Sequence, residues 1–123
     1  MAIRIIRLGS PRAAGEGLRL GTVRRPPRGV RKADYAKLNY YDLWLPDLAP
    51  SAKLVARAQK DWDGFAKAYR REMKAPAAER LLDLLAALSR HADFSLGCYC
   101  EDEARCHRSV LRQLLAERDA RIA

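Results

Sequence analysis

The sequence predicts an α/β domain, a small sheet packed between helices. Three observations carry that reading. Short β-branched, apolar stretches near the N-terminus stop abruptly at Gly, Ser or Pro. Three later segments repeat apolar residues at helical spacing. A further strand-like stretch, residues 93–100, stands between two of those helical segments, and mixed layers of this kind pack as α/β. With 123 residues the chain can bury a core as one domain, residues 1–123.

The elements follow in order. Residues 2–8, AIRIIRL, read as a strand that ends at Gly9-Ser10-Pro11. Residues 17–25, GLRLGTVRR, read as a second strand broken by Pro26-Pro27. Only about nine residues join them, and a parallel crossover usually needs about a dozen or more. Spacing therefore favours antiparallel pairing, or two strands that are not neighbours. Residues 26–39 read as a basic loop with one helical turn after Asp34. YYDLWLPDLAP (40–50) reads as a short extended stretch, with Tyr41, Leu43 and Leu45 on one side, limited by Pro46 and Pro50.

Ser51 is a candidate N-cap for a short helix over AKLVARAQ, and Asp61 for the next. There Trp62, Phe65, Tyr69 and Met73 share one helical face, a pattern more often core than ligand box. Pro76 suits the first turn of a third helix running to about His91. Its expected buried face is Leu81, Leu82, Leu84, Leu85 and Leu88. DFSLGCYC (93–100) reads as a buried central strand. CHRSVLRQLLAERDA (106–120) reads as a helix with Val110, Leu111, Leu114 and Leu115 inward.

No window approaches 18 consecutive apolar residues, so no membrane span is expected. The opening residues are too few and too charged for a secretory signal, so the expected compartment is the cytoplasm. Three cysteines there stay reduced and make no disulfide framework. The net charge is +9 and it is concentrated. Residues 1–32 hold nine basic side chains against Glu16 alone, an excess of +8, whereas the other 91 residues carry only +1. Such a field attracts phosphates, nucleic acid or acidic surfaces; a solvated basic arm is the plainer explanation.

GCYCEDEARCHR, residues 97–108, holds all three cysteines and one of the two histidines. Cys98 and Cys100 are two apart on a strand and so point to one face. Five residues separate Cys100 from Cys106, where a helix begins, and a helix start offers unpaired N–H groups and partial positive charge. Three readings stand open. Cys98, Cys100, Cys106 and His107 make a formal zinc set, although adjacent Cys106 and His107 diverge by about 100° once helical. Alternatively, Cys106 is a thiolate at a helix start, supported by His107 or Arg108, with Arg105 and Arg108 as anion donors. Glu101, Asp102 and Glu103 would then repel an anion or carry protons. The third reading is packing alone, simplest for Cys98.

FSLGCYCEDEARCHRSVL, GLRLGTVRRPPRGVRKADY and YYDLWLPDLAPS together resemble the YeaO-like branch of a bacterial family catalogued as domain of unknown function 488 (DUF488). The resemblance covers nearly the whole chain. Its most specific mark is Cys-x-Cys-Glu…Cys-His-Arg, which the YeaO branch itself often lacks. Many members carry an Asp-Val-Arg-like tripeptide at the end of the second strand; here it is Thr22-Val23-Arg24. The resemblance implies a compact three-layer domain with the first two strands and the cysteine strand in one largely parallel sheet, against the spacing argument. It implies no particular reaction, and it marks Arg24, Cys98, Cys100, Glu101, Cys106, His107 and Arg108.

The expected function is a positively lined pocket for a small anionic ligand, phosphate- or nucleotide-like, with chemistry by a thiol. Arg24, Arg25, Arg108 and Ser10 are the expected anion-binding residues. Cys100 or Cys106 is the expected nucleophile, with His107 or Glu101 as proton carrier. No metal ligand, cofactor or oligomeric state is assigned. The alternatives are a nucleic-acid-binding module that uses Arg24–Lys32 with Tyr35, Tyr40 or Trp44 stacking on bases, and a zinc-stabilised structural domain.

Overall fold

The structure, a computed structural model, describes residues 1–123. Four strands form one sheet: β1 (Ile3–Arg7), β2 (Leu18–Gly21), β3 (Leu43–Trp44) and β4 (Phe94–Cys98). Every pairing is parallel and the spatial order is β1-β4-β2-β3. The helices are α1 (Ala52–Val55), α2 (Trp62–Glu72), α3 (Pro76–Leu88) and α4 (His107–Ala116), with 3-10 turns at Lys32–Asp34, Pro46–Leu48 and Glu103–Arg105. The fold is thus a compact α/β arrangement on a parallel sheet. No helix is long and apolar enough to cross a membrane.

The short link between β1 and β2 is resolved by strand order. The two strands are not neighbours, because β4 enters between them: Ile3 pairs with Phe94 on one side and Leu18 with Phe94 on the other. The link starts across β4, and Gly97 makes room for it. A Cβ at Gly97 would lie 2.6 Å from Leu8 Cδ2 and 3.0 Å from Ile6 Cδ1. Arg19 then fastens the link from below. It is fully buried; its guanidinium donates to Glu16, to the carbonyls of Ser10 (2.8 Å) and Pro11 (3.0 Å), and across to Asn39 O (2.6 Å). A buried cation needs this many acceptors to offset its lost hydration.

Alternation along the strands divides the two faces. Ile3, Leu20, Phe94 and Leu96 pack with Phe65, Tyr69, Leu82, Leu85, Leu111 and Leu115 from α2, α3 and α4. The other face is covered by connecting segments; Tyr41 lies against Gly21, where any Cβ would strike its ring. The free edge of β1 is closed by the C-terminal residues, with Ile3 N–H donating to Arg121 O and Ala123 N–H to Ile3 O, both at 2.8 Å. An exposed strand edge invites unwanted pairing, and this contact occupies it.

The helices follow their sequence signals with several differences: Ser51 makes no side-chain cap to α1, α3 ends at Leu88 before His91, and α4 runs only from His107 to Ala116. Asp61 caps α2 by accepting from Gly64 N–H at 3.0 Å, and Trp62, Phe65 and Tyr69 stack in succession along it. The helix expected from Ala52 stays regular only to Val55 and continues as turns. In α3 the buried stripe is Ala78, Leu82, Leu85 and Ala86, while Leu84 and Leu88 are exposed. Ala78 and Ala86 take inward positions and two leucines fall outside.

Candidate functional site

The site forms where β4 ends and α4 begins. Phe94, Leu96 and Cys98 share one face of β4, and Cys100 follows two residues on, so its sulfur returns to the same side. Their Sγ atoms are 3.6 Å apart. The chain then crosses a braced loop. Asp102 accepts from Ala104 N–H at 3.0 Å, Cys106 N–H donates to Glu103 O, and Arg112 donates twice to Glu103. Cys106 itself is extended (φ −122°, ψ 150°) and serves as the N-cap of α4. Its side chain is therefore not in helical phase, and it turns toward the other two. All three sulfurs lie within 4.8 Å of one another. All three cysteines are free thiols; Cys98 and Cys106 are buried and Cys100 is exposed. This set can hold a metal ion. His107 is outside the compact set.

His107 is buried in the first turn of α4, and its ring is held from two sides. Nε2 lies 2.7 Å from Thr22 O and 3.1 Å from Thr22 Oγ1. Because the carbonyl only accepts, Nε2 carries the proton and Nδ1 is left as acceptor. Nδ1 faces Cys106 Sγ at 3.7 Å. Tyr69 meets the ring edge-to-face at 5.5 Å, and its hydroxyl is fixed by Leu48 O at 2.5 Å. Thr22, which stands in place of the acidic residue of the Asp-Val-Arg-like tripeptide, thus meets the imidazole of the cysteine corner. Only that departure in the tripeptide signals its role from sequence.

The three thiols do not ionise alike. Hydrogen bonds from Cys100 and Cys98, with His107 adding to them, hold the Cys106 thiol far below its ordinary range despite burial. The same sharing pushes Cys98 up, through its bonds to Cys100 and Cys106, and pushes Cys100 up, mainly through Cys106.

A cavity of about 660 Å³ opens on this corner. Cys98, Cys100, Cys106 and His107 form one part of its wall. Arg24, Arg25, Arg28 and Arg105 form another; all four are exposed and none has a carboxylate partner. Tyr40 and Tyr99, edge-to-face at 6.2 Å, also line it. Of the residues expected at the site, Cys100, Cys106, His107, Arg24 and Arg25 are brought together here. Three others lie outside the cavity wall. Glu101 is exposed and paired with Arg7 at 3.4 Å. Ser10 donates to Arg7 O, and its own carbonyl serves Arg19. Arg108 is buried behind the corner, with Nη2 donating to Cys100 O at 2.7 Å and Nε unpartnered. Tyr99 was not singled out from sequence, and Arg28 only as part of the Arg24–Lys32 basic run. Arg28 follows the Pro26-Pro27 break that bends the basic run over the cysteines, and Tyr99 sits between the two cysteines of the C-x-C.

No curated protein and no solved structure matches the chain. Residues 3–119 match the family DUF488-N3a, described as the active DUF488-N3 subclade. With the cysteine string at the sheet edge and the match running through nearly every element, the chain belongs to the DUF488 family.

Proposed function

We propose that the cavity binds a small anionic ligand, phosphate- or nucleotide-like, and that the protein acts on it with sulfur. One observation carries this reading: unpaired guanidinium groups and three converging thiols share the wall of one cavity. Its volume falls in the range of roughly 300–1,000 Å³ typical of small-molecule sites. Arg24, Arg25, Arg28 and Arg105 hold the anion by charge-assisted hydrogen bonds. Tyr40 and Tyr99 offer aromatic surface to a planar ring.

Cys106 is the nucleophile. His107, fixed by Thr22 O, receives the thiol proton at Nδ1, the arrangement of a cysteine–histidine pair with a backbone orienter. Cys100, the exposed member of the cluster, is the thiol nearest solvent for returning a proton to a leaving group. Glu101 carries no proton in this scheme, because it faces Arg7 outside the cavity. The description of the subclade as active agrees with a reaction at this corner.

The test is residue-resolved alkylation of chelator-treated, reduced protein at pH 7. Cys106 or Cys100 should react faster than a free thiol. His107→Ala should slow Cys106 about tenfold or more, the scale of a hydrogen bond to a charged group. If no cysteine outpaces the free thiol, the nucleophile is wrongly assigned.

A further inference from the structure

The cysteine cluster has a geometry that the thiol chemistry above does not require. A tetrahedral ion with metal–sulfur bonds of about 2.3 Å places its sulfurs about 3.8 Å apart. Here Cys98 and Cys100 are at 3.6 Å and no pair exceeds 4.8 Å. The three donors come from two elements fixed by independent contacts: β4 in the centre of the sheet, and the N-cap of α4 behind its braced loop. A nucleophile with one neighbouring acid would need only two of these sulfurs.

Charge supplies a second observation. Arg108 is only 3 % exposed, has no carboxylate partner, and leaves Nε unpaired while Nη2 holds Cys100 O. A buried cation in this state calls for a nearby negative group. Three thiolates around a divalent ion carry a net charge of −1, which matches that demand. Thiolate ligands select soft or borderline ions of the zinc class over magnesium or calcium.

We infer that Cys98, Cys100 and Cys106 together bind one zinc-class cation, with the fourth coordination position opening into the cavity. His107 falls outside the set of donor atoms that lie within 4.8 Å of one another and is not counted as a ligand, so the site keeps the open position that distinguishes catalytic from closed structural zinc centres. The metal site stands without the anion reading, and only the identity of a fourth ligand rests on it. A loaded site presents the ion to the cavity in place of the free Cys106 thiol, so metal and alkylating agent compete.

The experiment strips and reduces the 123-residue protein, then titrates it with cobalt(II) and afterwards with zinc. The expected result is one equivalent of cobalt, thiolate-to-metal charge-transfer absorption, the visible bands of four-coordinate cobalt, and displacement by one equivalent of zinc. Zinc should also protect all three cysteines from alkylation together. Cys100→Ser changes an exposed side chain and should keep the fold by circular dichroism. It should weaken binding by at least about tenfold, the loss that even outer-shell changes cause. A six-coordinate spectrum, no spectrum, or binding that Cys100→Ser leaves unchanged overturns the inference. None of these readouts contains an anion, so the metal site can fail while the anion pocket survives, and the reverse.

Discussion

Arg19 and Arg24 are five residues apart in one basic run, yet they do opposite work. Arg19 is buried and spends every donor on Glu16 and on three carbonyls of the crossing loops. Arg24 is exposed and unpaired at the cavity. The N-terminal charge excess therefore overstated the positive field: Arg12 is matched by Asp42 and Arg7 by Glu101. Sequence counts charges but does not show partners 30 or more residues away, as Asp42 is from Arg12 and Glu101 from Arg7, so this division was illegible. Glu16 records the buried pair. Burial opposes its charge, but Arg19 and the Ala13 N–H outweigh burial and lower its pKa to about 2. Its contribution to stability is complete above the unfolded value near 4.5 and is lost as pH falls toward about 2. The wild type should therefore lose roughly 3 kcal/mol between those limits that Glu16→Gln does not lose. Urea unfolding of both proteins across that range checks this. Parallel curves would show that the pair contributes nothing pH-dependent. At pH 7, Glu16→Gln should itself be destabilised by about 3–5 kcal/mol, because it strands a buried arginine.

At the scale of elements, the helices were legible because local rules govern them. Asp61 caps as its position predicts, and the aromatic stripe of α2 is core. The phase of α3 was not legible, since it depends on which side chains the core can accept; Ala78 and Ala86 lie on its buried stripe and Leu84 and Leu88 do not. The pairing of β1 with β2 was a question of spacing that admitted two answers. The sheet realises the non-neighbour answer, with all strands parallel, as the family resemblance implied. The reason is non-local: a strand some 70 residues later enters between the two. Its Gly97 is the element-scale test. Gly97→Ala puts a methyl within 2.6 Å of Leu8 and should cost about 1–3 kcal/mol, the usual penalty of overpacking. Thermal unfolding measures it. An unchanged midpoint would mean that the crossing loop is not held against β4.

On the scale of the whole molecule, the cysteine corner was legible as a place and not as an arrangement. The order strand, loop, helix start could be read from residues 93–108. That three sulfurs converge could not, because it depends on Cys106 being extended instead of helical. The partners that complete the site, Arg24, Arg25 and Arg28, arrive from a segment some 70 residues earlier, and strand order alone brings the end of β2 beside the end of β4. The same three arginines carry the nucleic-acid alternative, in which binding would weaken steeply with salt and spread along an exposed arm. The cavity distinguishes the two, because a small ligand bound there must shield the sulfurs.

The alkylation rate of Cys100 in the presence of inorganic pyrophosphate, at constant ionic strength, tests that shared cavity most directly. The account predicts that pyrophosphate slows labelling several-fold in the wild type and has no effect once Arg24 and Arg25 are both replaced by alanine. A wild-type rate indifferent to pyrophosphate, equal to that of the double variant, would contradict it.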